Sequence, residues 1–188
     1  MKSSLRRVAA ATALFALWST PAAAQYDPFG GSPLLAAAKS GNYVAAEQQI
    51  STGTGVNEVD SHGRSAAIIA SKEGHCDILI LLLKHSARTN IKDEDGNTAL
   101  MWAAERDQLL CVKALLAVHA DVNAANRQGV TALMKASQAG HLDVVKELIT
   151  AKADLAVTDF AGLTALGYAE NGRKRQVVDA LKAAGAKN

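Results

Sequence analysis

The chain is 188 residues long, the size of about one domain, and its 49% hydrophobic and 20% charged residues give a globular balance that excludes wholesale disorder. Aromatic residues make up only 4%, so a core has to be built from Ala, Val, Leu and Ile, which suits close-packed helices better than a sandwich or barrel. Two cysteines are too few for a disulfide scaffold, and 20 Lys plus Arg against 18 Asp plus Glu leave no basic excess of the kind that binds nucleic acid through its phosphates.

At the start of the chain Lys2, Arg6 and Arg7 precede an apolar or small stretch from Val8 to Trp18, and Ala22, Ala23 and Ala24 supply a small-residue exit. That order reads as a secretory signal peptide over residues 1–24, cut before Gln25. The apolar run covers 11 residues, well short of the roughly 20 that span a bilayer. Its removal leaves 17 basic against 18 acidic residues, so the exported protein is nearly neutral. No later apolar run is long enough to cross a membrane, and the expected location is extracytoplasmic, in a Gram-negative cell the periplasm.

Beyond residue 25 a 33-residue period organises the chain. Gly63, Gly96, Gly129 and Gly162 fall at that interval, and so do Ala70, Ala103, Ala136 and Ala169, and Leu82, Leu115, Leu148 and Leu181. Two residues after each glycine comes a hydroxyl residue, Ser65, Thr98, Thr131 or Thr164, a natural N-cap for a helix. Gly30, Ser32 and Leu34 extend the register backwards, with Pro33 at the first helical position. Each unit therefore reads as a polar turn, a short helix ended by a glycine such as Gly74 or Gly140, and a second helix with Asp77 or Asp143 in its first turn, where negative charge suits the helix dipole. At Asp107 the helix-ending glycine is missing, so an aspartate is expected in the left-handed conformation. Val144, Val145, Leu148 and Ile149 mark one buried helical face. Hairpins this short cannot cover their own apolar faces, so the units must stack.

Asp93-Glu94-Asp95-Gly96-Asn97-Thr98-Ala99-Leu100, Gly140-His141-Leu142-Asp143-Val144-Val145-Lys146-Glu147-Leu148-Ile149 and Ala120-Asp121-Val122-Asn123-Ala124 together resemble the ankyrin family over about residues 29–188. The resemblance implies an all-α ankyrin-repeat solenoid of five helix-turn-helix units linked by β-hairpin-like turns, in one domain over 25–188 with repeats near 27–59, 60–92, 93–125, 126–158 and 159–188. Ala-Leu-Met at Ala99 to Met101 and Ala132 to Met134 replaces the family's usual Pro-Leu-His, so the imidazole that normally ties adjacent turns is absent. Small exported bacterial proteins of this kind include supporters of a periplasmic catalase against peroxide and immunity partners of secreted toxins, and the resemblance implies those two roles without choosing between them. Haem or metal delivery is a lower-ranked third reading.

Catalytic chemistry needs a constellation of residues, and the sequence offers none. His62, His75, His85, His119 and His141 make no His-x-x-x-His spacing, and there is no phosphate-cradling Gly-Lys-Ser/Thr loop or Gly-x-Ser-x-Gly elbow. Met101 and Met134 share one repeat slot with Ile68 and read as packing residues, so no cofactor is assigned. Cys76 and Cys111 sit two positions apart in the repeat register, more than half a helical turn, and are expected as separate buried thiols.

Binding is the better reading. The slot Ile69, Trp102, Lys135 and Tyr168 recurs every 33 residues along the first helices, and its lysine suggests a row facing a concave groove. Arg64, Glu94, Asp95, Asn97, Arg127, Phe160 and Leu163 occupy the variable turn positions along the rim, with Arg106 further in. Mixed charge with scarce aromatics suits a protein partner, another extracytoplasmic protein met by a monomeric stack, with no nucleic acid involved.

Overall fold

The computed structural model describes residues 32–187, and the export segment with Gly30 lies outside them. Ten helices form five hairpins: α1 (Pro33–Ser40) with α2 (Tyr43–Ser51), α3 (Ala66–Glu73) with α4 (Cys76–Lys84), α5 (Ala99–Glu105) with α6 (Leu109–Ala117), α7 (Ala132–Ala139) with α8 (Leu142–Thr150), and α9 (Ala165–Asn171) with α10 (Arg175–Ala183). Odd-numbered helices pack on one another in one layer and even-numbered helices in a second. The architecture is an all-α repeat solenoid.

The local signals work as the sequence indicates. Ser65, Thr98, Thr131 and Thr164 each accept, through the side-chain oxygen, a hydrogen bond from the backbone N–H three residues on. Ser32 stands at the equivalent place, before Pro33, but its hydroxyl makes no such bond. In the fourth unit the N–H of Thr131 donates to the sulfur of Met134 at 3.4 Å, so the thioether that replaces the family's imidazole still meets a turn N–H.

Besides the tip glycines Gly63, Gly96, Gly129 and Gly162, two left-handed positions recur in every unit. After the first helix they are Gly41, Gly74, Asp107, Gly140 and Arg173, and after the second Gly53, Ser86, His119, Lys152 and Gly185, all with φ between 54° and 96°. Asp107 is left-handed as expected, at φ 59°. The slot after the second helix carries no constant glycine, so composition hid it. There the chain reversal is fixed by backbone bonds, such as Ala153 N–H to Leu148 O, and the non-glycine residue bears a conformational cost.

One continuous core runs the length of the stack, with Leu34, Ile68, Leu79, Leu100, Leu115, Leu133, Leu148 and Leu166 fully buried. Met101 and Met134, each 1% exposed, are part of it.

Cys76 and Cys111 correct the expectation of separate thiols, because they form a disulfide between α4 and α6 with Cα atoms 5.0 Å apart. The physical reason lies in the helix period. Equivalent residues of stacked helices point the same way and cannot face one another, whereas residues offset by two positions differ by about 200° around the axis. The offset that argued against a bridge is what turns Cys111 back toward α4 while Cys76 points forward to α6.

Lys152→Gly is expected to raise thermal stability by about 0.5–1 kcal/mol, since it relieves an exposed left-handed residue at φ 67°. A thermal melt reads it, and an unchanged or lower midpoint contradicts the assigned strain.

Candidate functional site

The side of the stack that holds the candidate site is built on the turns that precede α3, α5, α7 and α9. Asp60, Asp93, Asn126 and Asp159 open these turns, and the Oδ1 of each accepts from the backbone N–H groups two and four residues ahead. Backbone bonds then join one tip to the next: Glu94 N–H to His62 O, Arg127 N–H to Asp95 O, and Phe160 N–H to Gln128 O. The tips form a short ladder that fixes their spacing without a continuous sheet.

The second oxygen of each turn carboxylate reaches into the groove and selects what stands there. Asp60 Oδ2 accepts from Arg64, Asp93 Oδ2 from Trp102 Nε1 at 2.8 Å, and Asp159 Oδ2 from the Tyr168 hydroxyl at 2.7 Å. Asn126 instead donates through Nδ2 to Asn97 Oδ1. Burial works against the charge of Asp60, but the hydrogen bonds and charge of Arg64 outweigh it and hold the carboxyl below its ordinary range. The Tyr168 hydroxyl and the Leu163 N–H lower Asp159 likewise. Burial, then the Asp159 carboxylate, pushes the Tyr168 phenol up to about 12.

Trp102 is the centre of the groove. The Lys72 ammonium lies 4.3 Å from its ring centroid and that of Lys135 5.4 Å, while Lys135 also pairs with Glu105 at 3.0 Å. Cations on both neighbouring units thus hold an aromatic face in place. Beside it lie two clefts: one of about 150 Å³ bounded by His62, Arg64, Glu94, Asp95 and Trp102, and one of about 640 Å³ bounded by Arg127, Lys135, Gln138, Phe160 and Tyr168.

The structure brings most of the expected site residues together on this face and removes two. Ile69 is 7% exposed and belongs to the core, because no polar tip draws it toward the turn, so it is not part of an open row. Asn97, 4% exposed, bridges two turns through Asn126 and is a structural tie. Trp102, Lys135 and Tyr168 are half-buried, and Arg64 and Leu163 also stand partly covered. Glu94, Asp95, Arg106, Arg127 and Phe160 are exposed, Glu94 in a 3.0 Å pair with His62. Phe160 is 83% exposed on its tip, an apolar ring in solvent.

Sequence reasoning places Lys72, Glu105 and Gln138 inward of the rim but pairs none of them with another residue. Lys72 and Trp102, like Glu105 and Lys135, are 30 residues apart, one repeat less one helical turn, and that spacing would have flagged the contacts. Behind the groove His141 occupies the slot after the glycine, with Nε2 3.0 Å from Glu105 O. Among the described residues no group of three or more His, Cys, Asp or Glu is placed to hold a metal ion, and no helix is long and apolar enough to cross a membrane.

A family model described as ankyrin repeats in three copies matches the chain in overlapping windows, at residues 10–93, 34–126, 86–159 and 111–188. Among curated proteins no relative matches.

The depressed carboxyls set an acid limit. A folded carboxyl below its unfolded value of 3.8 adds stability that is present above that pH and is lost as pH falls through the folded value. The melting temperature is therefore expected to hold from about pH 7 to pH 5 and to drop below about pH 4. Asp159→Asn, the solution already used at position 126, should lower stability at neutral pH and flatten that drop. An equally steep acid loss in the variant contradicts the assignment.

Proposed function

The chain belongs to the ankyrin-repeat family, and on that premise we propose that it is an exported, non-enzymatic scaffold that holds another extracytoplasmic protein against its concave face. Ankyrin repeats suggest a protein–protein interaction scaffold. The observation that carries the finer reading is Trp102, an aromatic face pinned by Asp93 and flanked by Lys72 and Lys135 in the middle of a groove of mixed polar and apolar lining. A rigid, half-desolvated tryptophan at the centre of a mixed-charge surface is the usual anatomy of an interface hot spot.

Two features support export. Residues 1–24 carry the signal-peptide pattern, and the Cys76–Cys111 disulfide is of a kind that persists in oxidising compartments and is rare in a reducing cytosol. In that compartment the partner class to test first is an exported catalase, with the scaffold serving oxidative-stress defence. A secreted toxin neutralised by the scaffold is the alternative partner.

Affinity capture from the periplasmic fraction of the native host, with the tagged full chain as bait, tests the reading. A single protein retained by wild type and weakened by about 2 kcal/mol or more in Trp102→Ala, with helical content unchanged, is the expected result. Full affinity in that variant, or turnover of a substrate by the chain alone, overturns the proposal. Thiol titration of the denatured, unreduced protein from the same fraction should find no free thiol, and two free thiols would contradict the oxidised state.

A further inference from the structure

We propose that the cleft between the fourth and fifth turns takes an acidic segment of the protein partner, one that bears an aromatic or large apolar side chain beside a carboxylate. This rests on the scaffold reading and specifies the chemistry of its occupant. Arg127 binds the carboxylate, and the ring of Phe160 covers the apolar side chain.

Charge decides the assignment. Asp159 is the one carboxylate bounding this cleft, and both its oxygens are engaged within the protein: Oδ1 accepts from Ala161 and Leu163, and Oδ2 from Tyr168. Lys135 on the same wall is neutralised by Glu105. Arg127 stands exposed on the tip and makes no ion pair with any of the described residues. Asp159 keeps its charge, so the cleft as a whole is close to neutral, and the cation in it with free hydrogen-bonding capacity is the guanidinium of Arg127, whose planar fork matches a carboxylate in two parallel hydrogen bonds. The smaller cleft on the other side of Trp102 is more acidic, with Glu94 and Asp95 exposed on its lip, Asp93 in its wall, Arg64 already engaged by Asp60 and Lys72 held over the Trp102 ring. An acidic segment is repelled there and accepted at the fourth and fifth turns, which gives the groove a polarity along its length.

The apolar half of the site is as specific. Phe160 is anchored through its backbone N–H to Gln128 O, so the ring stays on the tip instead of folding into the core. Its Cδ1 lies 3.1 Å from where a Cβ on Gly129 would be, a close approach that a side chain at 129 would disturb. The open cleft that it borders has a volume of about 640 Å³, roomy for one large side chain. An aromatic probe stacked on Phe160 gains contact without displacing any buried group.

The test uses two capped pentapeptide probes, Gly-Glu-Phe-Glu-Gly and Gly-Lys-Phe-Lys-Gly, titrated into the isotope-labelled full chain and followed by amide chemical shifts. The acidic probe is expected to shift the amides of residues 127–130 and 160–163 saturably below about 5 mM, and the lysine probe to bind at least about tenfold more weakly. Arg127→Glu and Phe160→Ser should each weaken the acidic probe by about tenfold with the remaining spectrum intact, while Lys146→Glu on α8 leaves it unchanged. Equal binding of both probes, shifts confined to other residues, or no shift over that range overturns the assignment. If the probes fail while Trp102→Ala still loses the captured partner, this cleft chemistry falls and the scaffold reading stands; if the partner is retained by that variant, the scaffold reading itself falls.

Discussion

A hairpin of two helices of nine residues or fewer has more apolar surface than it can bury against itself, and every other feature of this molecule follows from that shortage. Leu82, Leu115 and Leu148 occupy one slot in three successive units, and each is fully buried because the next even-numbered helix lies over it. The dependence is mutual, so the stack must extend until polar end units stop it. Gln48 on α2 and Arg173, Arg175 and Lys182 on the last described hairpin are exposed, polar residues of the kind that suit outer units.

Stacking alone would leave the turns free to drift, and the turn carboxylates prevent it. One oxygen closes the turn on its own backbone; the other reaches a side chain on the concave side. Trp102 and Tyr168 therefore serve the fold and the groove at once: the polar tip of each is tied to a turn while part of the ring stays open. Such dual use holds a recognition surface ready before a partner arrives, which lowers the ordering cost of binding. The disulfide between α4 and α6 ties the unit that carries Trp102 to the preceding unit, which carries Lys72, and clamps the same part of the stack.

The period, the caps and the core slots were legible in the sequence because each rests on residues with few substitutes: glycine at a left-handed turn, a hydroxyl at an N-cap, leucine in a closed slot. The left-handed position after the second helix was not, since Ser86, His119 and Lys152 adopt it under tertiary constraint, against their own preference. The groove was half legible. Periodicity found the row through Trp102 and Tyr168 but placed Ile69 in it, because a shared slot fixes direction and not depth. Asp93 and Asp159 pull their aromatic partners toward the turn, whereas Ile69 has no polar tip to be pulled and sinks into the core. The disulfide was misread for a related reason: register measures distance along a helix, and the two cysteines meet through their angle around it.

Native-state hydrogen exchange on Leu115→Ala tests mutual shelter most directly. Leu115 is fully buried on α6, which packs against both α4 and α8, and its truncation should cost about 2–5 kcal/mol. Faster exchange in α4 and α8 as well as in α5 and α6 is the result predicted for units that bury one another. Acceleration confined to α5 and α6, with both neighbours as protected as in the unmodified chain, would contradict it.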